Sequence, residues 1–264
     1  MTDDVTLRAG LVDELTAHGW LTSNPWRDAF GAVPRHAFLP RFFRLTPDGA
    51  AYLAIDEHHP DWLKLVYRNA VWPTQLDANP TAWQRAVEHG PITAKPTCSS
   101  TQPSLMAIML EALNITDNDR VLEIGTGTGY NAALLAHRVG GQQVTSVDID
   151  PDLIAQARTS LHRAGYSPIV AVADGEGGHA SGGPYDRLIA TCSVATIPPA
   201  WIDQVRPGGS SSPTSTGSSW ARASYGSPSQ TMAPPAERSW TMPADSCQSV
   251  HTSTPTSQRS SATP

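Results

Sequence analysis

Residues 121–130 read Val-Leu-Glu-Ile-Gly-Thr-Gly-Thr-Gly-Tyr, a short apolar run followed at once by three alternating glycines. The apolar run is typical of a buried strand, and the residue pattern over 131–139 predicts a helix directly after the loop. Glycines in such a loop allow a tight turn and let a ligand approach the backbone closely. A glycine-rich turn between a strand and a helix also serves packing alone, so this loop by itself leaves both interpretations open.

Strands and helices alternate on both sides of the loop. Pro103 suits the first position of a helix upstream. Downstream, the pattern predicts strands at 143–148, 169–173 and 185–190, with a helix at 151–164 between the first two. This alternation implies right-handed parallel crossovers. The predicted fold class is therefore α/β, a doubly wound, mostly parallel, Rossmann-like sheet.

Two acidic residues stand at the ends of the strands that follow the loop. Asp148 comes about 20 residues after the loop, where an acid can accept hydrogen bonds from both ribose hydroxyls. Asp174, in the sequence Ala173-Asp174-Gly175, ends the next strand, where a carboxylate can reach an adenine amino group. The loop lacks the spacing that cradles a pyrophosphate. Ribose and adenine recognition without phosphate recognition predicts a site for S-adenosylmethionine (AdoMet).

Composition divides the chain into three parts. Residues 1–100 are predicted to form an N-terminal helical and irregular region that covers the substrate, with an amphipathic helix at 5–18 and short helices and loops over 44–98. Residues 101–209 form the AdoMet-binding core. Residues 210–264 are rich in Ser, Thr and Pro and contain no Leu, Ile or Phe. Such a segment cannot bury enough apolar surface to offset its ordering entropy, so we predict a disordered tail.

Charge and composition argue against several classes of partner. The net charge of −6 and the lack of a Lys/Arg-rich run disfavour a nucleic-acid substrate. No apolar run approaches the roughly 20 residues that span a bilayer, and the first residues do not resemble a signal peptide. We therefore expect a soluble cytoplasmic protein that does not bind membranes. Three widely separated cysteines and the pair His58-His59 show no spacing typical of a metal site, so no metal is expected.

The chain resembles the protein-L-isoaspartate O-methyltransferase family of class I AdoMet-dependent methyltransferases. Residues 33–40, Val-Pro-Arg-His-Ala-Phe-Leu-Pro, are similar to the N-terminal signature of that family. Thr101-Gln102-Pro103 resembles its Ser-Gln-Pro helix start, and residues 121–130 match its AdoMet loop. Further similarities lie at 173–175 and at 207–209, in the order that the family shows.

The resemblance implies a reaction and a set of site residues. AdoMet would be the cofactor, and an isoaspartyl or aspartyl residue of a protein or peptide would be the substrate, as in protein repair. The catalytic residue would be Thr101, whose hydroxyl would hold the substrate carboxylate. The implied cofactor-binding residues are Glu123, Gly125, Thr126, Gly127, Thr128, Gly129, Tyr130, Asp148, Ile149, Asp174 and Gly175. The methyl ester formed would then close to a succinimide.

Three departures from the family pattern qualify the resemblance. The Ser before Gln-Pro is replaced by Thr101, which keeps the hydroxyl and adds a methyl group. Residues 73–98 look like an insertion, similar to a branch associated with ATP-grasp peptide maturation that makes aspartimides in ribosomal peptides. After Gly209 the apolar strands of the family give way to Ser, Thr and Pro, which is typical of a shifted reading frame. Resequencing the coding DNA tests the frameshift hypothesis.

Other functions stay open at the level of the sequence. A methyltransferase that acts on base amino groups commonly carries an Asn/Asp-Pro-Pro-Tyr/Phe motif after the fourth strand, where this chain has residues 190–193, Ala-Thr-Cys-Ser. An AdoMet-binding relic without turnover is a second alternative, because the final strands of the family are missing. A dinucleotide oxidoreductase is a third, disfavoured by the spacing of the glycines. His36 is expected to be structural or to contact the substrate.

Overall fold

The computed structural model describes residues 3–215 and 223–224, with side chains described through residue 207. Residues 216–222 and 225–264 make up most of the predicted disordered tail and lie outside the described residues. For those residues the expected disorder stays a prediction.

The N-terminal region begins with two helices, α1 (Asp4–Ala17) and α2 (Asn24–Ala32). Asp3 caps α1, because its carboxylate accepts a hydrogen bond of 2.7 Å from a backbone N–H of the first turn. Leu11 and Leu15 are buried on the inner face of α1. The amphipathic helix predicted at 5–18 is thereby confirmed.

Four short strands and two short helices follow. They are β1 (Arg41–Leu45), β2 (Tyr52–Asp56), α3 (Trp62–Val66), β3 (Trp72–Leu76), α4 (Ala82–His89) and β4 (Pro96–Ser100). Strand β1 pairs with β2, and β3 pairs with β4, both antiparallel. The expectation of short helices and loops over 44–98 was wrong for these strands. Each of these strands has five residues without a clear alternation of polar and apolar residues, and β3 and β4 also contain or begin with a proline, so their sequence carries little strand signal.

The rest of the described chain alternates between helix and strand. The elements are α5 (Pro103–Ala112), β5 (Val121–Ile124), α6 (Tyr130–Val139), β6 (Val144–Asp148), α7 (Pro151–Arg163), β7 (Ile169–Val172), β8 (Tyr185–Val194), α8 (Pro199–Gln204), β9 (Val205–Ser215) and β10 (Ala223–Ser224). The sheet order is β10-β9-β8-β5-β6-β7, and every pair from β9 to β7 is parallel. This topology confirms the predicted α/β fold class and the doubly wound, mostly parallel sheet.

The central strands are buried on both faces, as a parallel sheet covered by helices requires. Val121 and Val144 face a large core that includes the buried sides of α1, α2, α5 and α6. Leu122 and Val147 face a smaller core that contains Trp201 of α8. Adjacent residues of one strand therefore face different cores, and the run of apolar residues in β5 reflects burial on both sides.

The order in which successive strands are added to the sheet reverses next to β5. From β5 it moves outward to β6 and β7, and it then crosses back to place β8 on the other side of β5. Ligands of open α/β sheets bind at such a switch point, outside the carboxyl ends of the strands. The topology therefore predicts a ligand site at the residues that follow β5, β6 and β8.

The last strands differ from the prediction for the tail. Residues 210–215, which were expected to be disordered, continue β9 beside β8, and β10 pairs antiparallel with β9. Backbone N–H and C=O groups make the ladder of a sheet, so Ser and Thr can extend a strand without contributing apolar side chains. The boundary at Gly209 therefore marks a change of composition inside a strand.

Candidate active site

The glycine loop between β5 and α6 is held in a conformation that requires glycine. Gly125 and Gly129 have positive φ angles of +97° and +86°. A Cβ atom at Gly125 would lie 2.7 Å from the Thr191 side-chain oxygen of β8, closer than real Cβ contacts allow. Thr191 donates a hydrogen bond of 2.6 Å to the Gly125 carbonyl, which fixes the start of the loop against β8. The start of the loop therefore lies at the switch point with no room for a side chain at Gly125.

Asp148, at the end of β6, binds the loop directly. Its Oδ2 accepts a hydrogen bond of 2.9 Å from the Gly127 backbone N–H, and its Oδ1 accepts one of 3.2 Å from the Asp150 N–H. Burial raises the pKa of the Asp148 carboxyl, while these two backbone donors oppose the rise. Ile149, the next residue, leaves 59% of its side chain exposed. The end of β6 thus combines a carboxylate and an open apolar surface beside the loop.

Asp174 and Gly175 follow β7 at the same edge of the sheet. Asp174 is exposed, and one of its carboxylate oxygens accepts a hydrogen bond of 3.0 Å from the Glu176 N–H. Gly175 packs tightly against β5, because a Cβ atom there would lie 2.5 Å from Ile124 Cγ2. Its carbonyl accepts a hydrogen bond of 2.7 Å from the Trp201 indole N–H. The sequence-predicted residues at the ends of β5, β6 and β7 are therefore brought to one edge.

Thr101 faces this edge from the N-terminal region. It follows β4 and precedes α5, and its side chain is half-buried. One cavity is lined by Thr101, by its neighbours Ser99 and Ser100, and by Thr191. Residues 125–128 of the glycine loop line the same cavity. The predicted catalytic residue and the predicted cofactor loop therefore line one cavity, although Thr101 and Gly125 are 24 residues apart in the sequence.

Tyr130, which was expected among the cofactor-binding residues, is buried beside the glycine loop. The side chain is 2% exposed and packs edge-on against Phe30 and tilted against Phe38. Tyr130 also lines the cavity. Its aromatic ring therefore belongs to the core that joins α6 to the N-terminal region.

Glu123 lies beneath the loop and not at its surface. The residue is fully buried in β5, and Asn131 and Ser146 donate hydrogen bonds of 2.7 and 2.6 Å to its two carboxylate oxygens. The Ser146 hydroxyl is also 2.6 Å from the Thr126 hydroxyl. Glu123 was expected among the cofactor-binding residues; in this arrangement it supports the loop from below through a chain of hydrogen bonds.

The buried Glu123 predicts a measurable dependence of stability on pH. Burial raises the pKa of Glu123 from 4.5 to about 7, and its two hydrogen bonds lower the pKa only in part. Between pH 4.5 and 7 the folded protein holds a proton that the unfolded chain has lost, so stability falls as the pH rises through this window. Glu123→Gln mimics the protonated acid and is expected to raise the free energy of unfolding at pH 8 by about 3 kcal/mol.

Urea unfolding of the wild type and of Glu123→Gln at pH 4.5 and at pH 8 checks this prediction. Glu14→Gln, which removes an exposed carboxylate from α1, is the matched control and is expected to change little. If Glu123→Gln changes the free energy of unfolding equally at both pH values, the buried carboxyl is not the source of the pH dependence of stability.

Two residues of the site were not predicted from the sequence. Arg35 is fully buried and donates hydrogen bonds of 3.3 Å to the Ser100 hydroxyl and 3.2 Å to the Thr101 carbonyl. Gln75 of β3 donates a hydrogen bond of 2.8 Å to Asp150, beside the cofactor end of β6. The first lies in the signature at 33–40, which marked the segment but gave no role for the side chain. The contact of Gln75 with Asp150 has no signal in the sequence, because it depends on the position of the β3–β4 hairpin.

Other residues that the sequence singled out have structural partners. His36 Nδ1 is 2.8 Å from the Tyr67 hydroxyl, and its pKa is lowered, mainly by burial. Within the described residues, no group of three or more His, Cys, Asp and Glu side chains is arranged to hold a metal ion. No helix in the described part of the chain is both long enough and apolar enough to cross a membrane.

Comparisons with known proteins agree on one family. A family model described as protein-L-isoaspartate(D-aspartate) O-methyltransferase matches residues 57–211. A protein-L-isoaspartate O-methyltransferase from Methanoculleus marisnigri is 43% identical over 125 residues, which cover 47% of this chain and 56% of that protein. One from Thermococcus onnurineus is 31% identical over 211 residues, which cover 79% of this chain and 78% of that protein.

The fold comparison gives the same result. A solved structure of a protein-L-isoaspartate O-methyltransferase superposes with a TM-score of 0.58 at 28% sequence identity, covering 79% of this chain and 55% of that chain. The chain spans about half the length of several curated relatives that it matches, 56% in the case of the Methanoculleus protein.

Proposed function

Because this chain belongs to the protein-L-isoaspartate O-methyltransferase family, we propose that it transfers the methyl group of AdoMet to the carboxylate of an isoaspartyl residue in a protein or peptide. The observation that carries the proposal is a cavity that is lined both by the glycine loop and by Thr101. A methyl donor and a carboxylate acceptor must meet at one point. The glycine loop would hold the methyl donor at this cavity, and Thr101 would hold the carboxylate.

The residues around the cavity fit AdoMet. No Lys or Arg lines it among the described residues, which suits a nucleoside cofactor without phosphates. The Asp148 carboxylate would bind the ribose hydroxyls, and the exposed Ile149 side chain would cover one face of the adenine. Asp174 would accept a hydrogen bond from the adenine amino group. Residues 125–129 would hold the methionine part through their backbone, with Glu123 supporting them from beneath.

The methyl transfer depends on positioning of the substrate carboxylate more than on acid or base catalysis. Bound AdoMet would supply a methyl group on a positively charged sulfur. The substrate carboxylate is ionised near neutral pH and needs no general base. Its oxygen would form the bond to the methyl carbon as the carbon–sulfur bond breaks, and the sulfur would keep that electron pair. Thr101 would donate its hydroxyl hydrogen to the carboxylate and hold it in line, a kind of positioning worth up to about 7–11 kcal/mol.

The methyl ester of the substrate would react further with the substrate's own backbone. A methyl ester can expel methoxide, whereas a carboxylate has no comparable leaving group, so the next backbone nitrogen of the substrate would lose its proton and attack the ester carbonyl. This step would release methanol and close a succinimide. Hydrolysis of the ring would then restore an aspartyl linkage in part of the product.

Incubation of the purified chain with methyl-labelled AdoMet and an isoaspartyl peptide tests the reaction class. A carboxyl methyl ester is labile in base, so we expect the transferred label to appear as volatile methanol after mild alkali. Label that resists alkali would identify methylation of an amino group and would refute the proposal. Binding of AdoMet without transfer would identify a relic of the family.

A further inference from the structure

Arg35 is a cation buried behind the substrate side of the cavity. Its side chain is 0% exposed, and its guanidinium donates to the backbone carbonyls of Val66 at 2.7 Å, Arg68 at 3.0 Å and Ala70 at 3.3 Å. Its remaining hydrogen bonds go to the Ser100 hydroxyl and the Thr101 carbonyl, and the guanidinium also lies 5.9 Å from the centre of the Tyr130 ring. Every one of these hydrogen-bond partners is a neutral oxygen.

The charge of Arg35 has no counter-ion within the described residues. Burial lowers the pKa of Arg35 to about 10, so the guanidinium stays protonated at neutral pH. Tyr130 and Tyr67 are the ionisable groups whose charges affect Arg35, and burial raises the pKa of both above the ordinary value, to about 12 for Tyr67. Both tyrosines are therefore neutral at that pH. A buried charge without a partner is costly, and an anion that binds nearby would offset the cost.

Ser100 links this charge to the cavity. Its hydroxyl oxygen accepts the hydrogen bond of 3.3 Å from Arg35, and the residue is 3% exposed where it lines the cavity beside Thr101. A serine hydroxyl that accepts one hydrogen bond still has its own hydrogen to donate. In the structure as described, that hydrogen has no acceptor. The donor is thus free for a ligand and is polarised by a cation behind it.

We propose that Ser100, backed by Arg35, recognises the negative charge of the substrate carboxylate beside Thr101. Ser100 would be a second substrate-binding hydroxyl, and Arg35 would be a positioning residue that acts through it. This inference rests on the proposed function, because it takes the isoaspartyl carboxylate as the anion. Methylation removes that charge, so the same pair would favour the substrate over its ester product.

A pair of peptides that differ only in charge tests the proposal by binding. One peptide carries isoaspartate, and the other carries the neutral amide, isoasparagine. Dissociation constants are measured by calorimetry with S-adenosylhomocysteine present. For the wild type we expect the isoaspartyl peptide to bind at least about tenfold more tightly, because hydrogen bonds to charged groups are the stronger ones. Equal affinity, or no detectable binding of the isoaspartyl peptide, would overturn the proposal.

The Ser100→Ala variant tests whether the preference for the charged peptide depends on the Ser100 hydroxyl. It is expected to raise the dissociation constant of the isoaspartyl peptide about tenfold and that of the amide peptide by less than about threefold, since the charged hydrogen bond alone is lost. Ser160→Ala, on the outer part of α7, is the matched control for loss of a serine hydroxyl. Equal changes for both peptides would show a merely structural role and would refute the assignment.

Arg35→Met removes the charge itself. Circular dichroism first establishes whether the variant folds, with Arg138→Met, which also loses a guanidinium that binds a backbone carbonyl, as its control. A folded Arg35→Met is expected to lose the preference for the charged peptide. If it does not fold, Ser100→Ala decides the question. A wild type that prefers the charged peptide but methylates neither would refute the proposed function and leave the charge recognition standing.

Discussion

Replacing Thr101 with alanine is expected to lower kcat for methylation of an isoaspartyl peptide by about 100-fold, the usual effect of removing one positioned hydrogen-bond donor from an active site. The dissociation constant of AdoMet is expected to stay within about threefold, because Thr101 lies between β4 and α5 and is not part of the glycine loop. Single-turnover kinetics with labelled AdoMet measure the first quantity, and calorimetry measures the second.

The conservative variants make this prediction specific to the hydroxyl. Thr101→Ser keeps the hydroxyl and is expected to retain most of the rate, whereas Thr101→Val keeps the shape and is expected to behave like alanine. The Thr101 backbone carbonyl still accepts its hydrogen bond from Arg35 in all three variants. Full activity of Thr101→Val would show that the hydroxyl does not hold the carboxylate.

Replacing Asp148 with alanine is expected to raise the dissociation constant of AdoMet by about 100-fold. Two charge-assisted hydrogen bonds to ribose, each worth about 1.5 kcal/mol or more, account for that factor. The variant also loses the carboxylate that accepts from the Gly127 N–H, so the loop itself is held less firmly. Isothermal titration with AdoMet measures the effect, with Asp152→Ala, an exposed carboxylate in the first turn of α7, as the control.

The pH dependence of binding gives a second test of Asp148. Burial raises the pKa of this carboxyl above the ordinary 3.8, and ribose hydroxyls require its ionised form. The affinity for AdoMet is therefore expected to fall, as the pH is lowered, at a higher pH than an ordinary aspartate would give. Asp148→Asn is expected to remove this dependence. An Asp148→Ala variant that binds AdoMet as tightly as the wild type would refute the ribose assignment.

The sequence alone was sufficient for the elements around the glycine loop. A four-residue apolar strand, three glycines and a helix are local signals, and the acids Asp148 and Asp174 follow strands whose bounds the apolar pattern defines. Parallel crossovers then place these strand ends at one edge. The position of the predicted site within the fold follows from that rule and from no long-range information.

The parts that the sequence did not predict depend on contacts between distant segments. Arg35 meets Ser100 across 65 positions, and Gln75 meets Asp150 across 75. The hairpins β1–β2 and β3–β4 gain their stability from packing and pairing, and their residues have no regular pattern. The family resemblance implied that Glu123 binds the cofactor, whereas the residue is fully buried in β5 beneath the loop.

The most direct test of the central claim compares two peptides of one sequence, one with isoaspartate and one with aspartate. The purified wild type is incubated with methyl-labelled AdoMet, and base-labile label is counted, with Thr101→Val as the blank. We expect label on the isoaspartyl peptide and none above the blank on the aspartyl peptide. Label on the aspartyl peptide alone, or on neither, would contradict it.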